Sequence, residues 1–321
     1  MIYDYIIYHK NCLDGFSAYF ILTKTGLILK HDYFVYPDQP SAKEIPPNVK
    51  GHNIIILDVA YKSDVLEGII EQAKSVIHID HHITIRDDVM RLASKYKNKF
   101  ISVYNEKESG ASLTWKYFKK YLEGYNESIP KFVLYIKDND IGEWKYKNTM
   151  PFITALNVHY DLIPNYETLR SWDKLFDTSE IKKLIRKGTI YMKYENYLLD
   201  YNSKRYTLEL FPSERIYKDF PDNFTKPGQY KVAVINGSGC PSGSLLGKKI
   251  ITDVDCDFCI MWTLHMDKKE YILSFRSNSV DVGKITKMFG GGGHIFAAAC
   301  SIPLTKYNIV DLFYPTSLPR H

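Results

Sequence analysis

No stretch of this 321-residue chain approaches the ~18 consecutive apolar residues of a membrane-crossing helix, so neither a helical membrane protein nor a membrane partner is expected. The amino terminus lacks the basic, apolar and small-residue succession of a secretory leader. Met1 runs straight into a strand-like segment, which points to a cytoplasmic location. Cysteine is scarce and unpaired. Cys12, Cys240, Cys256, Cys259 and Cys300 are an odd number scattered over a long chain, and they build no disulfide framework. Cys256 and Cys259 have the spacing of half a zinc knuckle, but no second Cys or His pair follows at matching distance. Their apolar surroundings make them structural thiols. A strong charge of one sign is also missing: a net +5 and a pI of about 8.6 fall below the footprint of a dedicated duplex-binding domain.

What is present is a globular composition, 45% hydrophobic and 25% charged, long enough for two domains of the usual ~100–200 residues each. The chain is organised around residues 76–82, Val-Ile-His-Ile-Asp-His-His. This apolar run reads as a buried strand whose tip presents Asp80, His81 and His82 together. Two earlier runs end alike: residues 2–8 lead into His9, with Asp14 close behind, and residues 54–57 lead into Asp58. A single Asp or His at a strand end is usually a turn former or a helix cap. Three successive strand ends carrying such groups would converge on one edge of a parallel sheet, where open α/β sheets bind ligands. That convergence predicts a metal site.

Between these strands the pattern is helical. Gly15 follows Asp14 in a strand-to-helix turn, with an apolar helix over 18–22 behind it; such a helix start suits a phosphate. Pro37, Pro40, Pro46 and Pro47 mark a loop-rich crossover. Ser63 can cap a helix with Val65, Leu66, Ile69, Ile70 and Ala73 at helical spacing. The succession is β-α-β-α-β, a doubly wound sheet. Further on, Ala111, Trp115, Phe118 and Leu122 mark a helix whose start, Ser109-Gly110, either touches substrate or only caps. A fourth apolar run, 132–136, then leads into Asp138 and Asp140.

Residues 180–201 read as one long helix, with Ile181, Leu184, Ile185, Tyr191, Tyr194 and Leu198 near one side. Strands follow at 230–235, 258–265 and 271–275, with Pro227-Gly228 as a turn and a glycine-containing loop at 237–243. Gly290, Gly291, Gly292 and Gly293 come directly after an amphipathic helix and are too many for a simple C-cap. Such a loop can turn backbone N–H groups toward a phosphate, which Arg276 can grip bidentately and His294 can help bind. The expected fold class is α/β: an N-terminal doubly wound, mainly parallel domain (1–179), a linker helix (180–204) and a smaller α/β C-terminal domain (205–321).

With His9, Asp14, Asp58, Asp80-His81-His82 and Asp138 in this order, the chain resembles the DHH phosphoesterase superfamily. Residues 274–277, 281–289, 290–294 and 297–299 are similar to the signature of the DHH-associated C-terminal domain. The resemblance implies a hydrolase with two metal ions, usually Mn²⁺, with Mg²⁺ or Zn²⁺ as alternatives. It implies that Asp58 bridges the ions, that Asp14, His81 and Asp138 complete one shell, and that His9 serves the other. His82 would face the phosphate, with Asp80 orienting the imidazoles from behind. Oxygen-rich sites with imidazole suit Mn²⁺ or Mg²⁺ on general grounds.

One position departs from the family pattern, since Cys12 stands where an aspartate is common. A thiolate is softer and shifts preference toward Zn²⁺; a thiol buried without coordination is the other reading. The function so implied is hydrolysis of short single-stranded RNA or DNA to mononucleotides. The alternatives are a 3′-phosphoadenosine 5′-phosphate phosphatase, a cyclic-dinucleotide phosphodiesterase, and, from another class, a degenerate member that only binds nucleic acid.

Overall fold

A computed structural model describes residues 2–314, apart from 41, 123, 125–127 and 241. Met1 and Pro241, which belong to segments read above, lie outside the described residues. The chain divides into two units, Met1–Met192 and Lys193–His321. The division falls within the helix Thr178–Ser203, in the region set apart from sequence as 180–204.

The first unit alternates strand and helix. Its elements are β1 (Tyr5–His9), α1 (Leu13–Thr23), β2 (Phe34–Asp38), β3 (Asn53–Leu57), α2 (Ser63–Gln72), β4 (Ser75–Asp80), α3 (Arg86–Lys95) and β5 (Phe100–Tyr104). After them come α4 (Gly110–Phe118), α5 (Lys131–Asp140), α6 (Thr149–His159), α7 (Tyr166–Trp172) and the long α8 (Thr178–Ser203). The five strands form one sheet in the order β2-β1-β3-β4-β5, every pair parallel. In this order the chain leaves β1 toward one edge and returns to lay β3 on its other side, so the topological switch point lies between β1 and β3.

Strand alternation feeds two cores. Ile6, Tyr8, Ile55, Leu57, Ile77 and Ile79 enter one, shared with α1, α4 and α5. Tyr5, Ile7, Ile54, Ile56 and Val76 enter the other, shared with α2 and α3. Each such side chain contributes ~1.5–3 kcal/mol on burial, and a one-residue slip would exchange the two sets, so the register is tightly held. That rigidity fixes where the strand tips point.

Two details differ from the sequence reading. Pro37 lies inside β2 rather than in a loop; β2 pairs with β1 alone, and an edge strand tolerates a residue with no N–H to donate. The apolar run at 132–136 belongs to α5, where Phe132, Val133 and Ile136 are buried at helical spacing behind Pro130 at the N-cap.

The second unit contains β6 (Thr207–Phe211), α9 (Glu214–Asp219), β7 (Tyr230–Asn236), α10 (Gly243–Asp253), β8 (Phe258–His265), β9 (Glu270–Ser277), α11 (Val282–Met288), β10 (Gly292–His294) and β11 (Ala297–Pro303). They build a six-stranded sheet in the order β10-β11-β9-β8-β7-β6, antiparallel except for the pair β7 and β8. Separate cores cover its two faces. The fold is the two-part α/β class expected. Among the described residues no helix is long and apolar enough to cross a membrane.

Candidate metal centre

The carboxyl ends of β1, β3 and β4 carry the cluster. His9 closes β1, and the turn after it passes through Asn11 at φ 56° to Cys12, the N-cap of α1, which places Asp14 in the first helical turn. Gly15 packs against the strand end: a Cβ there would come within 2.6 Å of the His9 Cβ. Asp58 follows β3 in the left-handed region, at φ 62°, held by its N–H donating to the Ile79 carbonyl at 2.9 Å. A non-glycine residue there is strained, and such strain clusters at functional sites. Here it turns the Asp58 carboxylate toward the ends of β1 and β4.

Asp58 is the common member of the cluster. Its Oδ2 lies 3.3 Å from His9 Nδ1 and 3.6 Å from Cys12 Sγ. Its Oδ1 lies 3.2 Å from His81 Nε2 and 3.8 Å from His82 Nδ1. His81 Nε2 in turn lies 3.2 Å from Asp140 Oδ2 and 4.0 Å from Asp14 Oδ2. Among the described residues three groups could each hold a metal ion, with ligand atoms within 4.8 Å of one another: His9, Cys12 and Asp58; Asp58, Asp80, His81 and His82; and Asp14, His81 and Asp140.

The surrounding structure fixes these groups. Asp80 Oδ1 accepts from the backbone N–H of His81 at 2.6 Å and of His82 at 2.9 Å, and from His82 Nδ1 at 2.6 Å. Behind it, buried His78 places Nε2 3.3 Å from Asp80 Oδ2 and 3.1 Å from the Val59 carbonyl. Asp80 therefore orients His82, whereas His81 is positioned by Asp58, Asp14 and Asp140. Asp14 accepts from the N–H groups of Gly110 and Ala111, at the start of α4.

The charge balance fits a cation. Burial, then the Asp58 and Asp140 charges, push Asp14 well above the usual carboxylate range. Burial and Asp58 likewise raise Asp140. Burial would raise Asp58 too, but His81 and His9 hold it below its ordinary value. Burial opposes a charged His81, yet Asp58, Asp14 and Asp140 outweigh it and bring its pKa to about 9. Burial, Asp58 and Asp14 push the Cys12 thiol up. Asp58 Oδ1 and His81 Nε2, although 3.2 Å apart, are not aligned as a hydrogen bond, and both are buried. Buried atoms of this kind without aligned partners, among several carboxylates, are what a metal ion would satisfy.

The sequence-derived residues do not all converge. His9, Asp14, Asp58, Asp80, His81 and His82 do, with Cys12 among them. Asp138 does not. It is buried on α5 and accepts from the backbone N–H of Lys145 at 3.0 Å, of Tyr146 at 3.3 Å, and from the Thr149 hydroxyl. On a helix, residues two apart point about 200° away from each other, so only one of Asp138 and Asp140 can face the cluster. Asp140 does so, in phase with Phe132 and Ile136 at steps of four. That ladder is visible in the sequence once the run is read as a helix.

The Ser109-Gly110 start divides its two possible parts. Ser109 caps α4, in a capping box with Ser112, while Gly110 abuts the cluster. A Cβ on Gly110 would lie 2.7 Å from the Asp58 Cβ and 2.9 Å from Asp14 Oδ2.

In the second unit the glycine run is not an open loop. Gly292, Gly293 and His294 form β10, paired with Ala299, Ala298 and Ala297. Gly291 and Gly293 are glycine because the backbone is crowded: added Cβ atoms would meet the Ala299 carbonyl at 2.2 Å and the Ala297 carbonyl at 2.6 Å. Ala297 pairs with Arg276 on one side and His294 on the other, so Arg276 and His294 share a row across three strands. Arg276 donates to Ser244 Oγ at 2.9 Å and to the Phe275 carbonyl at 2.7 Å. Cys259 is buried, and neither it nor Cys256 belongs to a metal-capable group among the described residues.

No model of a known protein family matches the chain. It is 26% identical over 306 residues to the uncharacterised protein R106 of Acanthamoeba polyphaga mimivirus; the match covers 91% of this chain and 65% of that protein, so the chain spans slightly less than two thirds of its relative. Among solved structures it is similar to the pGpG-specific phosphodiesterase PggH from Vibrio cholerae, at 12% identity and a TM-score of 0.48, covering 95% of this chain and 94% of that one. It is also similar to an exopolyphosphatase-related protein from Bacteroides fragilis, at 14% identity and a TM-score of 0.42, covering 96% and 88%.

Proposed function

We propose that the protein is a metal-dependent phosphodiesterase of the DHH type that hydrolyses short single-stranded oligonucleotides to mononucleotides. The observation that carries this reading is Asp58: one carboxylate oxygen lies with His9 and Cys12 and the other with His81, an arrangement that would let Asp58 serve two ions. His9, Cys12 and Asp58 would hold one ion; Asp14, His81 and Asp140 would hold the other, with Asp58 Oδ1, 3.2 Å from His81 Nε2, beside them. Bound Mn²⁺, Mg²⁺ or Zn²⁺ would supply a nucleophilic water at neutral pH and neutralise charge on the phosphoryl oxygens.

The chain's own groups do the rest. Asp80 holds His82 through Nδ1, leaving Nε2 to meet a phosphoryl oxygen, and the Asp80 hydrogen bond raises the His82 pKa against the effect of burial. A positively charged ring there favours the phosphoryl group and its developing charge. Beside His82 lies a pocket of about 410 Å³, lined by Pro40, Ala60, Tyr61, Lys62 and Ile85 among others. Its lining is largely apolar, with Lys62 and Asp88 as charged members of opposite sign, and such a floor suits a nucleoside attached to the phosphate better than an inorganic phosphate chain. The same pocket suits the nucleoside of 3′-phosphoadenosine 5′-phosphate or of a cyclic dinucleotide, which form the second reading. In this proposal Arg276, the glycine strand and His294 serve the second unit's contact with substrate.

The test is hydrolysis of matched 5′-labelled RNA and DNA oligomers, from two to about twenty nucleotides, after chelation and with Mn²⁺ restored. Metal-dependent release of mononucleotides is expected. Cleavage confined to the mononucleotide or the cyclic dinucleotide selects the second reading, and no cleavage of any substrate overturns the hydrolase.

A further inference from the structure

The carboxyl-terminal half of α8 carries a feature that the metal centre does not use. Tyr194, Tyr197 and Tyr201 follow at steps of three and four, which puts them on one side of the helix. They are 62, 61 and 56% exposed. Their rings run nearly parallel, with centroids 6.4 Å apart at 20° and then 6.5 Å apart at 21°. Arg205 continues the row, its guanidinium carbon 5.7 Å from the Tyr201 centroid. Next to it, Asn202, Arg205, Asn236 and Ser238, with Ile235, line a recess of about 170 Å³.

An exposed contiguous aromatic surface marks an interaction site. A helix seam against a second copy needs an apolar stripe that continues in heptad phase. Here Ile190 precedes the row, but the in-phase position before that is Lys187, and α8 ends at Ser203 just after Tyr201, with Lys204 and Arg205 beyond it. Of the acidic residues in this stretch, Glu195 is about 100° of helix from Tyr194, and Asp200, which flanks the row three residues after Tyr197, has its charge paired with Lys249 at 2.9 Å. A row of exposed aromatic side chains ending in cations matches a chain that presents planar rings at intervals with a phosphate between them. That is single-stranded nucleic acid, because a duplex hides its base faces.

We propose that Tyr194, Tyr197 and Tyr201 form a stacking platform for single-stranded nucleic acid, with Arg205 and Lys204 drawing the phosphates and the recess at Asn202 and Ser238 taking a phosphate or a base edge. The platform reads no sequence, since every base offers a π-face. Its affinity falls as salt rises.

The experiment is fluorescence anisotropy of labelled 12-nucleotide oligo-U and oligo-dT, in EDTA so that nothing is cleaved, at two salt concentrations. The full-length wild type is compared with the triple variants Tyr194→Ala/Tyr197→Ala/Tyr201→Ala and Tyr194→Phe/Tyr197→Phe/Tyr201→Phe. The alanine variant is expected to bind at least ~10-fold more weakly and the phenylalanine variant to keep its affinity, since Phe retains the ring face. A duplex of equal length is expected to bind more weakly than either single strand. Wild-type protein that fails to bind the 12-mers, or an alanine variant with unchanged affinity, overturns the proposal. So does a wild-type dimer in sedimentation that the alanine variant dissolves while oligonucleotide binding stays the same. Dinucleotide hydrolysis by the wild type, measured separately, decides the phosphodiesterase reading on its own.

Discussion

Asp138 and Asp140 lie two residues apart and are expected to fail in opposite ways when each is changed to asparagine. Asp138 accepts two backbone N–H bonds and the Thr149 hydroxyl. Hydrogen bonds to a charged group are worth ~1.5–3 kcal/mol each, and asparagine would turn one oxygen into a donor facing other donors. The expected loss is about 2–4 kcal/mol, a fall in Tm on the order of 5–10 °C for a unit of this size. Catalysis per folded molecule should stay close to wild type.

Asp140→Asn takes one charge from a group in which the ligand atoms of Asp14, His81 and Asp140 lie within 4.8 Å. At that distance two carboxylates repel by on the order of 3 kcal/mol at an effective dielectric of about 20, and the lost attraction to His81 is of similar size. The metal-free Tm should therefore move by no more than about 2 °C. Hydrolysis should fall at least ~100-fold, the upper end of what losing even an outer partner of a metal ligand costs. Scanning fluorimetry in EDTA and Mn²⁺-dependent cleavage of a labelled dinucleotide read both quantities. An inactive but fully stable Asp138→Asn protein, beside an active Asp140→Asn protein, would refute the assignment.

Three further expectations follow from the same structure. Adding Mn²⁺, Mg²⁺ or Zn²⁺ to chelated protein at ~100 times its dissociation constant should stabilise it by about 2.7 kcal/mol, and Asp58→Asn should remove that gain; no shift in Tm with any of the three would count against a metal site. Gly110→Ala places a methyl group 2.7 Å from the Asp58 Cβ. It should cost about 1–3 kcal/mol in stability and more than ~10-fold in turnover, and an unimpaired variant would mean that α4 yields freely. Glu108, joined to Lys116, Ser112 and Lys137, is held by them below the usual glutamate value against the effect of burial. Its stabilisation is present above the 4.5 of a free glutamate and is lost as pH falls through the lowered folded value. Glu108→Gln should thus cost about 1 kcal/mol at pH 7, after solvent screening, and nothing in strong acid; a gap that persists in acid would assign the effect to packing.

The strand tips were readable because alternation and turn residues act locally. Residues 54–57 and 76–80 had to be strands buried on both faces, and whatever followed them had to meet at one sheet edge. The carboxylate on α5 was not readable in the same way. The run at 132–136 is apolar, β-branched in part and followed by two aspartates, and over five residues a buried helix and a buried strand look alike. Only the third member of the series Phe132, Ile136 and Asp140 separates them. The glycine run misled for a different reason. Glycine signals either a mobile phosphate loop or a backbone too close to a neighbour for any Cβ, and the crowding of Gly291 and Gly293 against β11 depends on a partner strand that comes later in the chain. The tyrosine row was not legible: the apolar side read over residues 180–201 grouped Tyr194 with Tyr191 and Leu198 and did not include Tyr197 or Tyr201, whereas Tyr194 is exposed.

The carboxylates also differ in what their surroundings do to them. Donors surround Asp138 and, against the effect of burial, bring its pKa below the usual range, so its charge is already compensated by neutral groups. Asp14 is pushed up by burial and by Asp58 and Asp140, even though two backbone N–H groups at the start of α4 donate to it. Asp140 is pushed up by burial and Asp58. A fold that only needed these side chains for stability would gain by replacing them with apolar or amide groups, because uncompensated like charges in a buried cluster cost several kcal/mol. What makes the arrangement reasonable is a compact positive charge placed among them, which would turn the mutual repulsion of Asp14, Asp58 and Asp140 into joint attraction. The strained backbone at Asp58 points the same way, since its left-handed conformation gains nothing in packing that a glycine or asparagine could not supply, yet it sets one carboxylate between His9 and His81.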